Sequence, residues 1–227
     1  MLYVVPTPIG NLEDMTARAL RTLKESSAVF CEDTRRTRAL MSHFGLTAPL
    51  ERYDENDSRS IDKMLERVRR GEAVSLVSDG GCPGLSDPGR RAVAAARREG
   101  LPVTALAGPS AVAAAVAGSG LPGDSFVFLG FLPRAASRRR RMLEEAKALG
   151  RTIVVYESPF RVVDLLADAE AALGPRAQAV AARELSKIHE EWVGGSVAAV
   201  RANLAARAEI LGEFVVLFHP DPEPAHA

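Results

Sequence analysis

The stretch AVSLVSDGGCPGLSDPG, from Ala73 to Gly89, joins a short apolar run directly to a loop crowded with glycine and proline. A short apolar run that ends at turn residues is typical of a buried strand in a parallel sheet. The loop has two interpretations: a sharp strand-to-helix turn, or backbone that must come close to a ligand. The same arrangement recurs along the chain, and it therefore decides the fold class.

In the first half, apolar runs alternate with stretches whose apolar residues recur at helical spacing. The runs predicted as strands are LYVV, AVFCED, AVSLVSD and PVTAL. The predicted helices are TARALRTLKES with Asp14 or Thr16 as N-cap, TRRTRALMSHFG, SIDKMLERVRRG, DPGRRAVAAARREG with proline in its first turn, and GPSAVAAAVAGSG. This alternation predicts an open, largely parallel sheet covered by helices on both faces.

The second half keeps the α/β rhythm, with strands that we expect to be more mixed in direction. The predicted strands are FVFLGFL, TIVVYES, AQAVAARE, HEEWVGG and GEFVVLFHP, and the predicted helices are SRRRRMLEEAKALG, FRVVDLLADAEAALG and VAAVRANLAARA. The small residues of GSGLPGDS, from Gly118 to Ser125, indicate a boundary. We predict an α/β fold with domains at 1–117 and 118–220, a flexible tail at 221–227, and a ligand cleft between the domains.

Composition narrows the class of protein. The 227 residues are 47% hydrophobic and 26% charged, as in ordinary globular proteins, and 29 basic residues balance 29 acidic ones. Nucleic-acid binding would therefore have to come from local patches. The N-terminus lacks the features of a signal peptide, and no segment approaches the roughly 18 apolar residues of a membrane helix. We expect a cytoplasmic protein with no membrane or DNA partner. Cys31 and Cys82 lack metal-ligand spacing, so we expect no metal.

Nucleotide-binding fingerprints are missing, because neither GxGxxG nor GK[ST] follows the first strand. Three predicted strand ends nevertheless carry loops suited to a small ligand, namely PTPIGN (Pro6–Asn11), SDGGCPGLSDPG and AGPSAV (Ala107–Val112). Ligands of open α/β sheets bind beyond the carboxyl ends of the strands, where glycines expose backbone polar groups. One such loop is usually a plain turn, whereas three at one sheet edge favour a ligand site.

Charged motifs follow other predicted strands. In EDTRRTR, from Glu32 to Arg38, Asp33 or Thr34 is either a helix cap beside solvated arginines or part of an acid–base or phosphate site, and spacing favours neither. In YESPFR and RELSKIHEEW, Glu157 and Glu184 end strands, and Lys187 follows three residues after Glu184. Such a pair activates a hydroxyl or positions a phosphate, or it is a surface ion pair.

Arginine clusters supply local positive charge at 35, 36 and 38 and again at 134 and 138–141. Runs of this kind are usually solvated helix faces, and they also contact phosphates. No RNA-binding aromatic motif or zinc-finger pattern accompanies them. The residues alone leave nucleic-acid binding open.

The blocks PTPIGN, CEDTRRTRALMSHFG, SDGGCPGLSDPG, GFLPR, YESPFR, RELSKIHEEWVGG and GEFVVLF, in this order, resemble the bacterial small-subunit ribosomal RNA ribose methyltransferases of the tetrapyrrole methylase superfamily. The resemblance runs from Leu2 to about Pro220. It implies a class III methyltransferase fold, S-adenosylmethionine as methyl donor, 2′-O-methylation of a cytidine in small-subunit (16S) ribosomal RNA or the 30S subunit, and a homodimer.

The same resemblance assigns candidate residues to two groups. The cofactor-binding residues it implies are Pro8, Asp79, Gly80, Gly84, Pro109, Ser110, Ala111, Phe131 and Tyr156. The candidate catalytic residues are Asp33, Arg35, Glu184 and Lys187. Asp33 or Glu184 would act as base, and Arg35 and Lys187 would orient the RNA. Since a sulfonium is already an activated alkyl donor, positioning can matter more than a strong base.

Three departures from the family pattern stand out. Family members usually have SDAGTP where this chain has SDGGCP, and YESPHR where it has Phe160. Many also carry a helical C-terminal extension that we do not find after GEFVVLFHP. Two alternatives therefore stay open, a C-methyltransferase of a tetrapyrrole or corrin precursor and an RNA-binding relative without activity.

Overall fold

The first unit of the protein is built on a parallel sheet. The computed structural model describes residues 1–220, which form one compact unit from Met1 to Ser110 and a second that begins at Ala111. The strands of the first unit are β1 (Leu2–Val4), β2 (Ala28–Cys31), β3 (Leu50–Arg52), β4 (Val74–Leu76) and β5 (Val103–Ala105). They pair in the order β3-β2-β4-β1-β5, and every pair is parallel. The predicted parallel sheet is confirmed.

Four helices cross between these strands, as the alternation predicts. They are α1 (Ala17–Glu25), α2 (Thr34–His43), α3 (Ser58–Arg69) and α4 (Arg90–Arg98). Thr16 caps α1, because its hydroxyl accepts a hydrogen bond from the Ala19 amide at 3.1 Å. Every residue of β2 and β4 is buried, and this explains their unbroken apolar sequences.

The second unit contains a five-stranded sheet of mixed direction. Its strands are β6 (Phe126–Phe131), β7 (Thr152–Glu157), β8 (Gln178–Arg183), β9 (Glu191–Ser196) and β10 (Phe214–His219), in the order β6-β7-β10-β8-β9. Only β6 and β7 pair in parallel, and the other three pairs are antiparallel. The expectation of mixed strand direction is confirmed.

The helices of this unit are α5 (Ala111–Ser119), α6 (Ala136–Lys147), α7 (Val162–Leu173) and α8 (Val197–Ala205). Helix α7 contacts both α6 and α8, and its buried apolar residues join a core with those of β7, β8 and β10. Helix α5 packs on β8 and β10. A Cβ atom added to Gly118 in α5 would lie 2.6 Å from the ring of Trp192, so glycine allows this close approach.

The division of the chain falls between Ser110 and Ala111, whereas the sequence places it between residues 117 and 118. The two boundaries differ by most of helix α5. The sequence prediction placed this helix in the first half because the turn-rich stretch GSGLPGDS overlaps its end. Because its contacts are with β8 and β10, α5 is part of the second unit. The predicted tail at 221–227 lies outside the described residues.

Two local predictions are wrong. Helix α4 begins at Arg90 rather than with Pro88 in its first turn, because Gly89 before it has a φ of 137°, outside the helical region. The Glu55 carboxylate accepts hydrogen bonds from the amides of Gly89 and Arg91 and so caps this helix from a distant loop. Strand β3 was not predicted, since its sequence LER is charged and lies at the sheet edge.

None of the helices within residues 1–220 combines the length and the apolar character that a membrane crossing requires.

Candidate active site

The carboxyl end of the first sheet brings the three predicted ligand loops together. The backbones of Thr7 and Gly81 exchange two hydrogen bonds, at 3.0 and 2.8 Å, and so join the loop after β1 to the loop after β4. The Thr7 hydroxyl is buried and donates to the Ser78 carbonyl at 3.0 Å. The Cys82 thiol donates to the Pro109 carbonyl at 3.3 Å, and this bond connects the loop after β4 to the third loop, AGPSAV.

Cys82 thus makes a packing contact at the position where the family usually has threonine. Its thiol is a weak donor, and a threonine hydroxyl at the same place offers a donor of the same kind. Burial, together with the charge of Asp87, raises the pKa of the Cys82 thiol, so it stays protonated near neutral pH. A protonated, hydrogen-bonded thiol is a poor nucleophile.

Glycine is required in these loops because the chains approach closely. A Cβ atom at Gly80 would lie 3.3 Å from the Pro8 carbonyl oxygen, and one at Gly108 would lie 2.8 Å from the Pro6 ring. Gly84 has a φ of 84°, in the left-handed region. Glycine at these positions therefore allows the loop backbones to pack closely against one another.

A pocket of about 480 Å³ opens beside these loops. Its walls come from the loop after β1, from helix α2 and from the loop after β4, and the lining residues are Thr7, Pro8, Gly10, Leu12, Arg36, Thr37, Ala39, Leu40, His43, Ser78 and Asp79. Arg36 Nη1 lies 3.3 Å from Asp79 Oδ2 at the mouth, where both side chains are partly exposed. The structure thus places the EDTR motif next to the SDGG loop.

Asp33 is a helix cap in this arrangement. Its Oδ1 accepts the Arg35 amide at 2.8 Å and its Oδ2 lies 2.9 Å from Arg35 Nη2. The hydrogen bonds from the Arg35 side chain and backbone lower the pKa of Asp33 to about 2. A carboxyl group with so low a pKa is a weak base. The Arg35 guanidinium is ion-paired with this same Asp33 carboxylate.

Glu32, which the sequence reasoning did not single out, has the opposite environment. Burial, and then the negative charges of Asp79, Asp54 and Glu55, raise the pKa of Glu32. No cation pairs with it within residues 1–220. The sequence places Glu32 beside Asp33, and the observed hydrogen bond shows that Asp33 is the residue that caps α2.

In the second unit, Phe131 ends β6 and is paired with Tyr156, the next-to-last residue of β7. Their ring centroids lie 5.5 Å apart, and Tyr156 also packs edge-on against Phe128 at 5.0 Å. Phe131 is more than half exposed. Ala111 opens helix α5 of the same unit, directly after Ser110 and Pro109, which belong to the first.

Glu184 and Lys187 form a local network at the end of β8. Glu184 Oε1 accepts Lys187 Nζ at 2.8 Å and the Glu213 amide at 2.9 Å, and Glu213 Oε2 lies 2.9 Å from the same ammonium. Burial alone would raise the pKa of Glu184, but these donors outweigh it and the pKa is lowered. The φ of 52° at Glu184 marks a backbone that this network holds in place.

The arginine cluster of α6 divides into paired and unpaired members. Arg139 and Asp168 are both buried and ion-paired, with Arg139 Nε 2.6 Å from Asp168 Oδ2, and Arg140 pairs with the same carboxylate. Arg141 pairs with Glu145. Arg134 and Arg138 have no ion-pair partner among residues 1–220. The interpretation of the whole run as a solvated face is therefore wrong for Arg139, because its guanidinium is buried.

Glu157, the other strand-end carboxylate, is buried and structural. Its Oε1 accepts the Ser158 amide at 2.9 Å, and its Oε2 lies 3.2 Å from Arg161 Nη2. Among residues 1–220, no three His, Cys, Asp or Glu side chains lie close enough together to hold a metal ion.

Solved structures with the same fold define the class of this protein. The uroporphyrin III C-methyl transferase of Thermus thermophilus aligns with a TM-score of 0.65 at 21% identity, covering 95% of this chain and 96% of that one. A cobalt precorrin-4 methyltransferase aligns with a TM-score of 0.69 at 16% identity, covering 97% and 96%. The chain thus has the fold of the tetrapyrrole methyltransferases.

Sequence comparison is more specific. The model of the tetrapyrrole (corrin/porphyrin) methylases matches residues 1–200. Proteins named ribosomal RNA small subunit methyltransferase I are 42% identical in Halalkalibacterium halodurans, over 98% of this chain and 76% of that protein, and in Thermotoga maritima, over 95% and 96%. The chain belongs to the tetrapyrrole methylase family and, within it, to the ribosomal RNA small subunit methyltransferase I group.

Proposed function

We propose that this protein transfers a methyl group from S-adenosylmethionine to the 2′-hydroxyl of a cytidine in small-subunit ribosomal RNA. The observation that carries the proposal is the 42% identity, over nearly the whole chain, to proteins named for methylation of this RNA. The charged motifs that resemble the RNA-modifying group, EDTR and RELSK, are ordered at strand ends.

The residues of the first unit fit the proposed methyl donor. The loop after β4 has no side chain at Gly80, and Asp79 of the same loop supplies a carboxylate that lines the pocket. A cationic sulfonium favours such a carboxylate and exposed carbonyl oxygens. A Thermus thermophilus structure of the same fold, at 22% identity and a TM-score of 0.62, is described as a complex with S-adenosyl homocysteine, and it covers 95% of this chain and 96% of that one.

We propose that Pro8, Asp79, Gly80, Gly84, Pro109, Ser110, Ala111, Phe131 and Tyr156 hold the donor. When bound, the donor would supply an activated methyl group, carried on a positively charged sulfur, for transfer to the ribose oxygen. The 2′-hydroxyl loses its proton in this step. The residues of the chain have to orient the ribose and accept that proton.

Glu32 is better suited to accept the proton than Asp33. The pKa of Glu32 is raised and no cation among residues 1–220 pairs with it, whereas the Asp33 carboxylate is committed to capping α2. Glu184 is likewise occupied by two donors, so its proposed role is to position Lys187. Lys187 and Arg35 are the proposed orienting cations for the RNA backbone.

A second function, C-methylation of a tetrapyrrole, has support from the fold. Both structural neighbours described above are named for such chemistry, but at 16–21% identity they show the fold alone. The higher identity to the RNA-modifying group favours RNA. A relative that binds RNA without catalysis is the third outcome, since the SDGGCP loop departs from the usual family sequence.

One experiment separates the three. The protein is incubated with methyl-labelled S-adenosylmethionine and either small ribosomal subunits from a strain lacking the modification or a uroporphyrinogen. We expect label in the RNA and none in the tetrapyrrole. Label only in the tetrapyrrole would support the second function, and RNA binding without transfer would support the third.

We also propose that the enzyme is a cytoplasmic homodimer, as the family resemblance implies. Sedimentation equilibrium of the purified protein measures the subunit number, and a monomer at micromolar concentration would contradict the dimer.

A further inference from the structure

A highly exposed phenylalanine ring lies on a hydrogen-bonded turn after β7. Phe160 is 88% exposed, and it follows β7 in the sequence YESPFR. The Ser158 carbonyl accepts the amides of Arg161 and Val162 at 3.1 Å each. Glu157 holds the two ends of the turn through its bonds to Ser158 and Arg161. The ring therefore stands in solvent on a backbone that is already ordered.

Two arginines without an ion-pair partner among residues 1–220 follow strand β6, Arg134 in the loop after it and Arg138 in the first turn of α6. Arg161 Nη2 donates to the Leu132 carbonyl at 2.8 Å, which joins the Phe160 turn to the segment that carries Arg134. Arg134 and Arg138 are exposed and have no ion-pair partner in the described part of the chain. We call Phe160, Arg134 and Arg138 the β6–β7 surface, because they follow the carboxyl ends of these parallel strands.

This surface combines the two features that bind unpaired nucleic acid. An aromatic ring offers a face on which a base stacks, and a free guanidinium offers bidentate contact to phosphate. Phe131, at the end of β6, is also largely exposed, so a second exposed ring lies at the carboxyl end of the same strand pair. A ring on a preformed turn loses little conformational freedom when a base stacks on it.

We propose that the β6–β7 surface binds a single-stranded segment of the RNA substrate, with a base on Phe160 and phosphates on Arg134 and Arg138. The inference rests on the proposed function, since that function makes RNA the substrate. It assigns to Phe160 a positioning role at a place where the family usually has histidine. Binding to a ribosomal protein instead of RNA is an outcome that the test distinguishes.

The chain offers matched controls at the opposite end of β7. Leu149 is 54% exposed and Arg151 is exposed without an ion-pair partner among residues 1–220, and both precede the strand rather than follow it. Leu149→Ala and Arg151→Ala thus remove an exposed apolar side chain without an aromatic face and an exposed guanidinium from the amino end of the strand. Phe160→Tyr keeps a ring of the same shape and should preserve stacking.

The first measurement is methyl transfer to small subunits at varied RNA concentration. Phe160→Ala should raise the KM for RNA about tenfold with little change in kcat, as expected for loss of one stacked base. Phe160→Tyr, Leu149→Ala and Arg151→Ala should stay near the parent value. Equal effects of Phe160→Ala and Leu149→Ala would overturn the proposal, as would a Phe160→Ala loss confined to kcat.

The second measurement does not need catalysis. Binding of a single-stranded RNA containing 2-aminopurine is followed by fluorescence at several salt concentrations. The Arg134→Ala, Arg138→Ala double variant should reduce the slope of log affinity against log salt by about 1.4, that is, about 0.7 for each lost phosphate contact. Phe160→Ala should reduce the quenching of 2-aminopurine. Unchanged slope and quenching would overturn the proposal even if methyl transfer is confirmed.

Two further results distinguish a failure of the proposed function from a failure of the proposed RNA-binding surface. If the parent protein binds the oligonucleotide through this surface but transfers no methyl group to RNA, the proposed function fails and the surface stands. If Phe160→Ala weakens binding to assembled subunits but not to protein-free RNA, the surface contacts a ribosomal protein and the RNA proposal fails. Unchanged affinity for S-adenosylhomocysteine verifies that each variant is folded.

Discussion

Replacement of Glu184 by glutamine tests whether this residue holds the Lys187 network together. Glu184 Oε1 accepts two hydrogen bonds, from the Lys187 ammonium and the Glu213 amide, and only 17% of its side chain is exposed. Glutamine keeps the shape and one acceptor oxygen but removes the charge. Glu184→Gln therefore isolates the electrostatic part of the network.

The expected loss is about 2 kcal/mol of unfolding free energy, since a hydrogen bond to a charged group contributes about 1 kcal/mol more than a neutral one and two bonds are affected. Glu213→Gln is the matched control, because Glu213 contacts the same ammonium from a position that is 84% exposed. That variant should lose about 0.5 kcal/mol or less, as exposed ion pairs do.

Urea unfolding followed by Trp192 fluorescence provides the assay. Trp192 is the single tryptophan, and its indole donates to Glu190, whose carboxylate also accepts the Ser186 amide within the same loop. The pKa of Glu184 is lowered in the folded protein, so the carboxylate stabilises above its ordinary pKa of 4.5 and this contribution is lost as pH falls through the folded value. The difference in unfolding free energy between the parent protein and Glu184→Gln should be largest near pH 7 and should disappear in acid. Equal losses in the two variants, or a gap that widens in acid, would refute the reasoning.

Three other predictions concern the pocket, the base and the core. Gly80→Val crowds the Pro8 carbonyl and should weaken S-adenosylhomocysteine binding about tenfold or more by calorimetry; unchanged affinity would contradict the assignment. In the parent, the methylation rate should fall in acid at a pH above 4.5, because the pKa of Glu32 is raised. Glu32→Gln should abolish this fall, whereas Asp33→Asn should retain it. Asp168→Asn leaves the buried Arg139 uncompensated and should cost about 3–5 kcal/mol in urea unfolding, against about 0.5 kcal/mol for Glu145→Gln; similar losses in both would argue against the buried pair.

The fold was largely predictable because its signals are local. Apolar runs such as AVFC are buried on both faces, and N-caps such as Thr16 are read directly from side-chain chemistry. Strand β3 escaped prediction because an edge strand with the sequence LER has no apolar run. Helix α5 was assigned to the wrong half because its partners, β8 and β10, come much later in the chain.

The site was predictable as loops and motifs, but not as roles. The ligand loops and the EDTR motif were found from their positions after strands, and the structure brings the loops after β1 and β4 and the EDTR helix to one pocket. Which carboxylate of Glu32 and Asp33 is free depends on a capping bond, and both interpretations of EDTR had equal support from spacing. The ion pair between Arg139 and Asp168 joins residues of two helices, so the arginine run alone could not reveal it.

The most direct test of the central claim is the chemical identity of the product. Small-subunit RNA methylated by the protein with labelled S-adenosylmethionine is digested to nucleosides and analysed by mass spectrometry. We expect the labelled product to be cytidine methylated on the ribose oxygen. Label on a base, on another nucleoside or on no RNA product would contradict it.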